Sequence, residues 1–388
     1  MEKKEKREHA YLSSVIAIVV GLLVGYVILL ISNPSQSLEG FIQIVTGALT
    51  HGTKGVGQIF YYATPIIMTG LSIGFAFKTG LFNIGTPGQF IVGAFGGIYV
   101  GIKFSGIGST HWILALLAAI LFGAVWALIP GILKAFCNVN EVISCIMMNY
   151  IGMYLVNYLI KNDAALYNNL KNESNPVANA AQIPKMGLDK LFPGSYVGGG
   201  IIIAFVFVIL IYIILNKTTF GYELKAVGYN KDASKYAGIN EKRSVIVSML
   251  IAGALAGLGG GLLYLSGSGK YIEIVDVLAV EGFTGISVAL LGLNNPIGIF
   301  FAAIFIAYIT QGGFYLQLLS FSPEIINIII AVIIYFSAFA LILKNLMQRR
   351  KKSKRIEEIK AEAKQNENEL HIGKPSENLN QENQGGKE

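Results

Sequence analysis

The chain has 388 residues, of which 53% are hydrophobic and only 14% are charged. Soluble domains carry roughly a quarter charged residues, so this composition excludes an ordinary soluble protein and indicates a membrane protein. The net charge of +7 does not call for a nucleic-acid partner, because excess Lys and Arg is typical of the cytoplasmic segments of membrane proteins.

Apolar runs predict the membrane crossings, since a helix needs about 20 mostly apolar residues to cross the hydrocarbon core. Such runs occur at 10–32, 60–77, 89–102, 112–133, 142–160, 199–215, 245–266 and 325–343. A longer run, 277–308, is broken at Asn294-Asn295-Pro296 and is interpreted as two crossings. The first run lacks a small-residue cleavage pattern at its exit and is interpreted as a retained anchor. The sequence therefore predicts an all-α polytopic membrane protein with about ten transmembrane helices.

The basic residues predict the orientation. With the N-terminus in the cytoplasm, most Lys and Arg fall in cytoplasmic segments, as the positive-inside rule requires. An even number of crossings brings the basic segment 344–355 back to the same side, so both termini are predicted to be cytoplasmic. Residues 1–343 form the predicted transmembrane domain. Residues 344–388 form a charged cytoplasmic tail whose polarity is typical of a disordered or fraying helical extension.

Polar residues inside apolar runs are candidates for function, because they are costly in a membrane. The densest group lies in the Gly- and Pro-rich turn 78–89, which contains Asn83 and Gln89. If this turn enters the bilayer, it lines a pathway, since irregular backbone survives there only beside protein or water. If it lies in the cytosol, it is an ordinary loop.

Two further spans carry polar residues near their starts. Glu141 precedes the fifth run, where it can favour the helix dipole, and Asn149 lies deeper, where it can join helices by hydrogen bonds. Glu281 and Thr284 open the eighth run, where the carboxylate can cap a helix or face a solvated path. Each of these four residues is therefore a candidate for a substrate pathway.

The cytoplasmic loop 216–244 contains stop signals at both ends of a short helix. Asn230 can cap the N-terminus, Asp232 and Lys235 suit the first and last turns, and Gly238 suits the position after the C-terminus. A mere linker would need no such signals, so the loop is predicted to transmit force to a cytosolic partner. The candidate coupling residues are Gly228, Asn230, Asp232, Ala233, Lys235, Tyr236, Ala237 and Gly238.

The chain lacks the patterns of a metal, nucleotide or catalytic site. Cys137 and Cys145 lie eight residues apart, and the four histidines show no HExxH or i, i+4 spacing. The stretch 267–270 resembles the end of a phosphate-binding loop but lacks the required Gly before it and Ser or Thr after it. The sequence therefore predicts a non-enzymatic chain without a cofactor of its own.

Four stretches carry a resemblance to a known family: 70–85, 140–151, 221–239 and 282–292. Together they resemble the permease subunits of ABC importers in the branched-chain amino acid and simple-sugar permease family, and most of all its nucleoside permeases of the guanosine type. The likeness covers residues 10–345. Pro87 is a departure, because the family commonly has an acidic residue there, which puts a substrate role for that position in doubt.

The resemblance implies a non-catalytic subunit of the bacterial plasma membrane that imports nucleosides by alternating access. It implies three protein partners: a second, homologous permease, a cytosolic ATPase that binds ATP and Mg²⁺, and an extracytoplasmic substrate-binding lipoprotein. The segment 221–239 matches the family's coupling region. Asn83, Gln89, Asn149, Glu281 and Thr284 would then lie near the solute.

Two alternatives remain at this level. The same architecture could import a simple sugar or a branched-chain amino acid. An ion-coupled secondary transporter could use Glu281 or Glu141 as a proton or sodium site, although the capped cytoplasmic helix would then have no evident purpose.

Overall fold

The structure, a computed structural model, describes residues 19–104, 106, 108–322, 324–325, 327–329, 331–332 and 335–336. This part of the chain is almost entirely helical. Its α-helices are α1 Val19–Ser32, α2 Ser37–Thr50, α3 Gly52–Lys78, α4 Thr86–Lys103, α5 His111–Cys137, α6 Glu141–Lys161, α7 Leu188–Leu191, α8 Gly200–Lys217, α9 Thr219–Tyr229, α10 Lys231–Tyr236, α11 Glu241–Tyr264, α12 Val280–Leu291 and α13 Pro296–Phe314. The predicted tail, 344–388, lies outside the described residues.

Six helices in the described ranges are long and apolar enough to cross a membrane: α3, α5, α6, α8, α11, and α13 with the 3₁₀ turn that follows it. The prediction of an all-α membrane protein is confirmed. The predicted break near Asn294 is also confirmed, because α12 ends at Leu291 and α13 begins at Pro296. Asn295 caps α13, its side-chain oxygen accepting the Ile297 N–H at 3.0 Å.

Several helices depart from the predicted pattern. Helix α3 begins at Gly52, eight residues before the predicted run, and α2 and α9, like the single-turn α7, were not predicted. Glycines and polar residues interrupt their apolar pattern, so tertiary packing selects the helix. In α2 the buried Ile44 lies in a cluster with Leu29 and Leu316.

The centre of the bundle is a glycine seam where α4, α5 and α11 approach closely. A Cβ atom on Gly257 would clash with the Ala119 carbonyl and lie 2.9 Å from the Gly123 Cα. Small residues of this kind let helix backbones touch, which is how membrane helices gain packing energy. The Gly-rich stretches 93–97 and 252–261 therefore form the close-packed faces of α4 and α11.

Replacing Gly257 with alanine is expected to destabilise the bundle by about 1–3 kcal/mol, because the methyl group meets backbone atoms that cannot rotate away. Thermal unfolding of the detergent-purified protein measures this. The matched control is Gly200→Ala, whose new methyl would lie an ordinary 3.4 Å from the Thr64 side chain. Equal melting temperatures for the two variants would contradict the close backbone packing at Gly257.

The bundle has two ends. The α10 end holds α9, α10 and the last residue of α3, Lys78. The hairpin end holds strands β1 (Tyr167–Asn168) and β2 (Glu173–Ser174), which pair antiparallel, and the loop 265–279, whose Ile274 N–H donates to the Asn172 carbonyl at 2.9 Å. The position of a residue along a helix can therefore be given as its distance from one of these two ends.

Candidate functional site

The turn between α3 and α4 is held by a pair of amides. Asn83 and Gln89 are fully buried and bond to each other in both directions, Asn83 Nδ2 donating to Gln89 Oε1 at 2.8 Å and Gln89 Nε2 donating to Asn83 Oδ1 at 2.9 Å. Asn83 Nδ2 also reaches Ser72 Oγ at 3.3 Å, and its Oδ1 accepts the Gly85 N–H at 3.2 Å. The polar groups of the pair are therefore matched inside the protein.

Asn149 of α6 clamps this turn from the other side. Its Nδ2 donates to the Ile84 carbonyl at 3.0 Å, and its Oδ1 accepts the Gly88 N–H at 2.9 Å. The structure thus brings three of the predicted site residues, Asn83, Gln89 and Asn149, into one buried amide network. In this conformation the network positions the turn and has no side chain turned to an open cavity.

The turn lies inside the bundle. Ser72 precedes the end of α3 by six residues, so a rise of about 1.5 Å per residue places its contact with Asn83 roughly 9 Å from that end. Asn149 lies a similar distance, about 12 Å, along α6 from Glu141. Of the two interpretations of this turn, its placement favours the one in which it enters the membrane region.

Helix α12 also begins inside the bundle. The Glu281 carbonyl accepts a hydrogen bond from Thr69 Oγ1 at 2.9 Å, about 14 Å along α3 from Lys78. A Cβ on Gly282 would lie 2.5 Å from the Pro87 Cα, so the starts of α12 and α4 touch. The loop 265–279 therefore descends from the hairpin end to this level.

The side chain of Glu281 pairs with Lys270 of that loop at 2.8 Å, and both remain partly exposed. Thr284 lies one turn along α12, with its hydroxyl donating to the Val280 carbonyl at 3.0 Å. Glu281 and Thr284 are therefore both partly uncovered, unlike Asn83, Gln89 and Asn149.

Glu141 lies apart from both groups. At the α10 end, its carboxylate pairs with Lys134 of α5 at 2.8 Å, and it is the first residue of α6. Both side chains are largely covered. The contact joins α5 to α6, which is a structural role for Glu141 in this conformation.

The predicted short helix in the cytoplasmic loop is α10. The Asn230 side chain accepts the Ala233 N–H at 3.0 Å, Asp232 lies in the first turn, and Gly238 follows the C-terminus with φ +77°. The prediction of a helix capped at both ends is confirmed.

An ion pair holds α10 in place. Lys235 pairs with Glu241 of α11 at 3.0 Å, which raises the pKa of Lys235. Tyr236 projects from the end of α10 with 95% of its surface exposed, and Ala237 beside it is also exposed. Tyr229, at the end of α9, is 90% exposed. Sequence reasoning missed Tyr229, because α9 itself was not predicted.

Backbone contact links this surface to the amide network. Gly228 of α9 lies against the end of α3, since a Cβ there would approach the Lys78 carbonyl and lie 3.0 Å from the Gly80 nitrogen. Gly80 has φ +74°, which suits glycine, and it opens the turn that leads to Asn83. Helix α9 is therefore in direct backbone contact with the start of this turn.

Among the residues that the structure describes, no group of three His, Cys, Asp or Glu side chains could hold a metal ion. The charged groups of the site form ion pairs, and its amides form hydrogen bonds. The polar groups of the site are therefore paired with one another in this conformation.

Comparisons with known proteins identify the relatives of this chain. The family described as "Branched-chain amino acid transport system / permease component" matches residues 55–338. The Guanosine ABC transporter permease protein NupP of Bacillus subtilis is 38% identical over 352 residues, covering 89% of this chain and 98% of the relative. The Nucleoside ABC transporter permease protein NupB of Lactococcus lactis is 36% identical, covering 89% and 95%.

A second kind of relative is also found. The Guanosine ABC transporter permease protein NupQ of Bacillus subtilis is 27% identical over 273 residues, covering 69% of this chain and 84% of the relative. Bacillus subtilis therefore has two guanosine permeases of different sequence, both similar to this chain. No solved structure matches.

Proposed function

Because the chain belongs to the branched-chain amino acid transport system permease family, we propose that it is the membrane subunit of an ATP-driven importer of nucleosides. One observation supports nucleosides as the transported solute: the chain is 38% identical to a guanosine permease along nearly the whole length of both proteins. The protein resides in the bacterial plasma membrane, which its six long apolar helices suit.

The proposed topology has about ten crossings with both termini in the cytoplasm. The α10 end is then cytoplasmic. In support, basic residues outnumber acidic ones there: Lys78, Lys134, Lys217, Lys225, Lys231, Lys235, Lys242 and Arg243 against Glu141, Glu223, Asp232 and Glu241. Residues 1–343 form the permease domain, with the coupling loop at 216–244, and 344–388 form a cytoplasmic tail.

The proposed partners follow from the family. A second, homologous permease completes the pathway, as the existence of two similar guanosine permeases in one bacterium suggests. A cytosolic ATPase binds ATP and Mg²⁺ and docks on α10 through Tyr236, Ala237 and the neighbouring coupling residues. An extracytoplasmic lipoprotein delivers the nucleoside to the hairpin end. The chain itself is not an enzyme and holds no cofactor.

The proposed mechanism is alternating access. Closure of the ATPase moves α10 and α9, and Gly228 passes the movement to the turn at Gly80. The turn carries Asn83 and Gln89, and Asn149 ties it to α6. The nucleoside crosses near this network, with Glu281 and Thr284 on the solvent-reaching wall.

Uptake of labelled guanosine by cells that express the complete transporter tests this function. Uptake should depend on this chain and stop when the ATP-hydrolysing residue of the partner ATPase is replaced. Excess unlabelled adenosine or uridine should compete, whereas glucose or leucine should not. Guanosine uptake that persists with the disabled ATPase, or competition by glucose alone, would overturn the proposal.

A further inference from the structure

Helix α6 differs from the other long helices that the fold leaves half uncovered. Helices α5 and α8 are strongly apolar, and their uncovered faces suit lipid. Helix α6 is similarly uncovered but distinctly less hydrophobic than either. Its outer face carries Tyr150, Tyr154 and Tyr158, which are 48%, 54% and 65% exposed and lie one turn apart on one side of the helix.

Two of these tyrosines lie too deep for the membrane surface. Tyrosine is common where a helix leaves the membrane, and Tyr158, three residues from Lys161, fits that position. Tyr150 and Tyr154 lie near the middle of α6, within about 5 Å of its centre along the axis. A hydroxyl group there would lack a partner in lipid, and within the described residues neither hydroxyl makes a hydrogen bond.

The comparison with α8 is direct. The central exposed residues of α8 are aliphatic or phenylalanine, namely Phe205, Val206, Ile209, Leu210 and Ile213. That is the composition expected of a face in contact with acyl chains. The uncovered face of α6 also carries exposed aliphatic residues, among them Ile151 and Leu155, so it differs from that of α8 in the tyrosine hydroxyl groups that it adds.

The neighbouring segment indicates which medium this face meets. Residues 275–279 run without helical structure from the hairpin end to the start of α12, and Val275 and Val277 are exposed. Non-helical backbone at this depth is tolerated only beside protein or water. Asn157 of α6 donates to the Val275 carbonyl at 3.1 Å, so α6 lies beside this segment.

Tyr150, Tyr154 and Glu281 also lie at similar depths in the bundle. Tyr150 lies about 14 Å and Tyr154 about 20 Å along α6 from Glu141, and Glu281 lies about 14 Å along α3 from the same end. The ion pair of Glu281 and Lys270 lies partly uncovered at this level, where an apolar medium would be costly for it. The two tyrosines therefore border a hydrated region inside the membrane.

We propose that Tyr150 and Tyr154 of α6 line the passage and stack against the planar base of the transported nucleoside. A ring offers the base a flat, tolerant surface, and stacking does not depend on which base is present. The hydroxyl groups remain in water. This inference rests on the proposed function for the identity of the solute, whereas the hydration of the α6 face does not.

Cysteine labelling in the complete transporter tests the hydrated face. In a Cys137→Ser background, which leaves the buried Cys145, Tyr150→Cys and Tyr154→Cys are treated with a charged, water-soluble methanethiosulfonate. Both should react, because this chemistry needs a thiolate in water. The matched control is Ile209→Cys, 45% exposed near the middle of α8, which should stay unlabelled. If the α6 cysteines are as unreactive as the control cysteine on α8, the proposal is wrong.

Guanosine is then added as the probe of stacking. It should slow labelling of both α6 cysteines at concentrations near its KM for uptake. Labelling that guanosine leaves unchanged, in a transporter that still takes up guanosine, would remove the stacking role. If the α6 cysteines are labelled but the unsubstituted protein takes up no guanosine, the proposed solute is wrong. The proposal that this face of α6 is hydrated would still hold.

Uptake kinetics separate the ring from the hydroxyl. Tyr154→Leu should raise the KM for guanosine about tenfold, because it removes the aromatic face, whereas Tyr154→Phe should change it less than about twofold. Equal KM values for the two variants would contradict stacking at Tyr154. Both variants should reach wild-type levels in the membrane, since the residue makes no buried contact in the described part of the chain.

Discussion

Replacing Tyr236 and Ala237 together with aspartate is expected to lower nucleoside uptake by at least about 30-fold while the permease still inserts and folds. Both positions are exposed at the end of α10, so the substitution breaks no internal contact. The caps at Asn230 and Gly238 and the pair of Lys235 with Glu241 keep the helix in place. What changes is the outward surface, where two carboxylates replace an aromatic ring and a methyl group.

The measurement joins uptake to copurification. The double variant should lose the ATPase from the affinity-purified complex, whereas Tyr236→Phe with Ala237→Ser should retain both the ATPase and most of the uptake. Normal uptake by the aspartate variant would remove α10 from coupling. Loss of uptake with the ATPase still bound would show that this surface acts after docking and not in it.

Helix α10 could be predicted from sequence because its signals are local. Asn230, Asp232 and Gly238 act within one or two turns of the backbone, and each has a specific capping geometry. The break at Asn295-Pro296 is local in the same way. The bulk of the bundle followed from apolar runs of the right length.

The candidate site could be predicted only as a set of residue types. That Asn83 bonds to Gln89, or that Asn149 reaches the Ile84 carbonyl, depends on how α3, α4 and α6 pack. The depth of Glu281 depends on its contact with Thr69, which is 212 positions away in the chain. The sequence alone does not distinguish Tyr150 and Tyr154 from the other residues of their apolar run, because their exposure depends on how the helices pack.

Disrupting the amide network is expected to lower stability strongly, because the network is buried and its groups are paired with one another. Asn83→Leu would leave both ends of the Gln89 amide and the Gly85 N–H without their partner. Each buried group left unpaired costs on the order of 1–3 kcal/mol. The expected result is a large fall in the melting temperature of the purified protein and loss of uptake, because the turn no longer holds α9 against α6.

A double variant separates folding from contact with the solute. Replacing both Asn83 and Gln89 with leucine removes both members of the mutual pair, so much of the stability lost in Asn83→Leu should return. If the pair only positions the turn, the double variant should also recover uptake with a near-normal KM for guanosine. If Asn83 and Gln89 bind the nucleoside during transport, the folded double variant should keep a KM raised about tenfold or more. A single variant as stable as the unsubstituted protein would contradict the buried network itself.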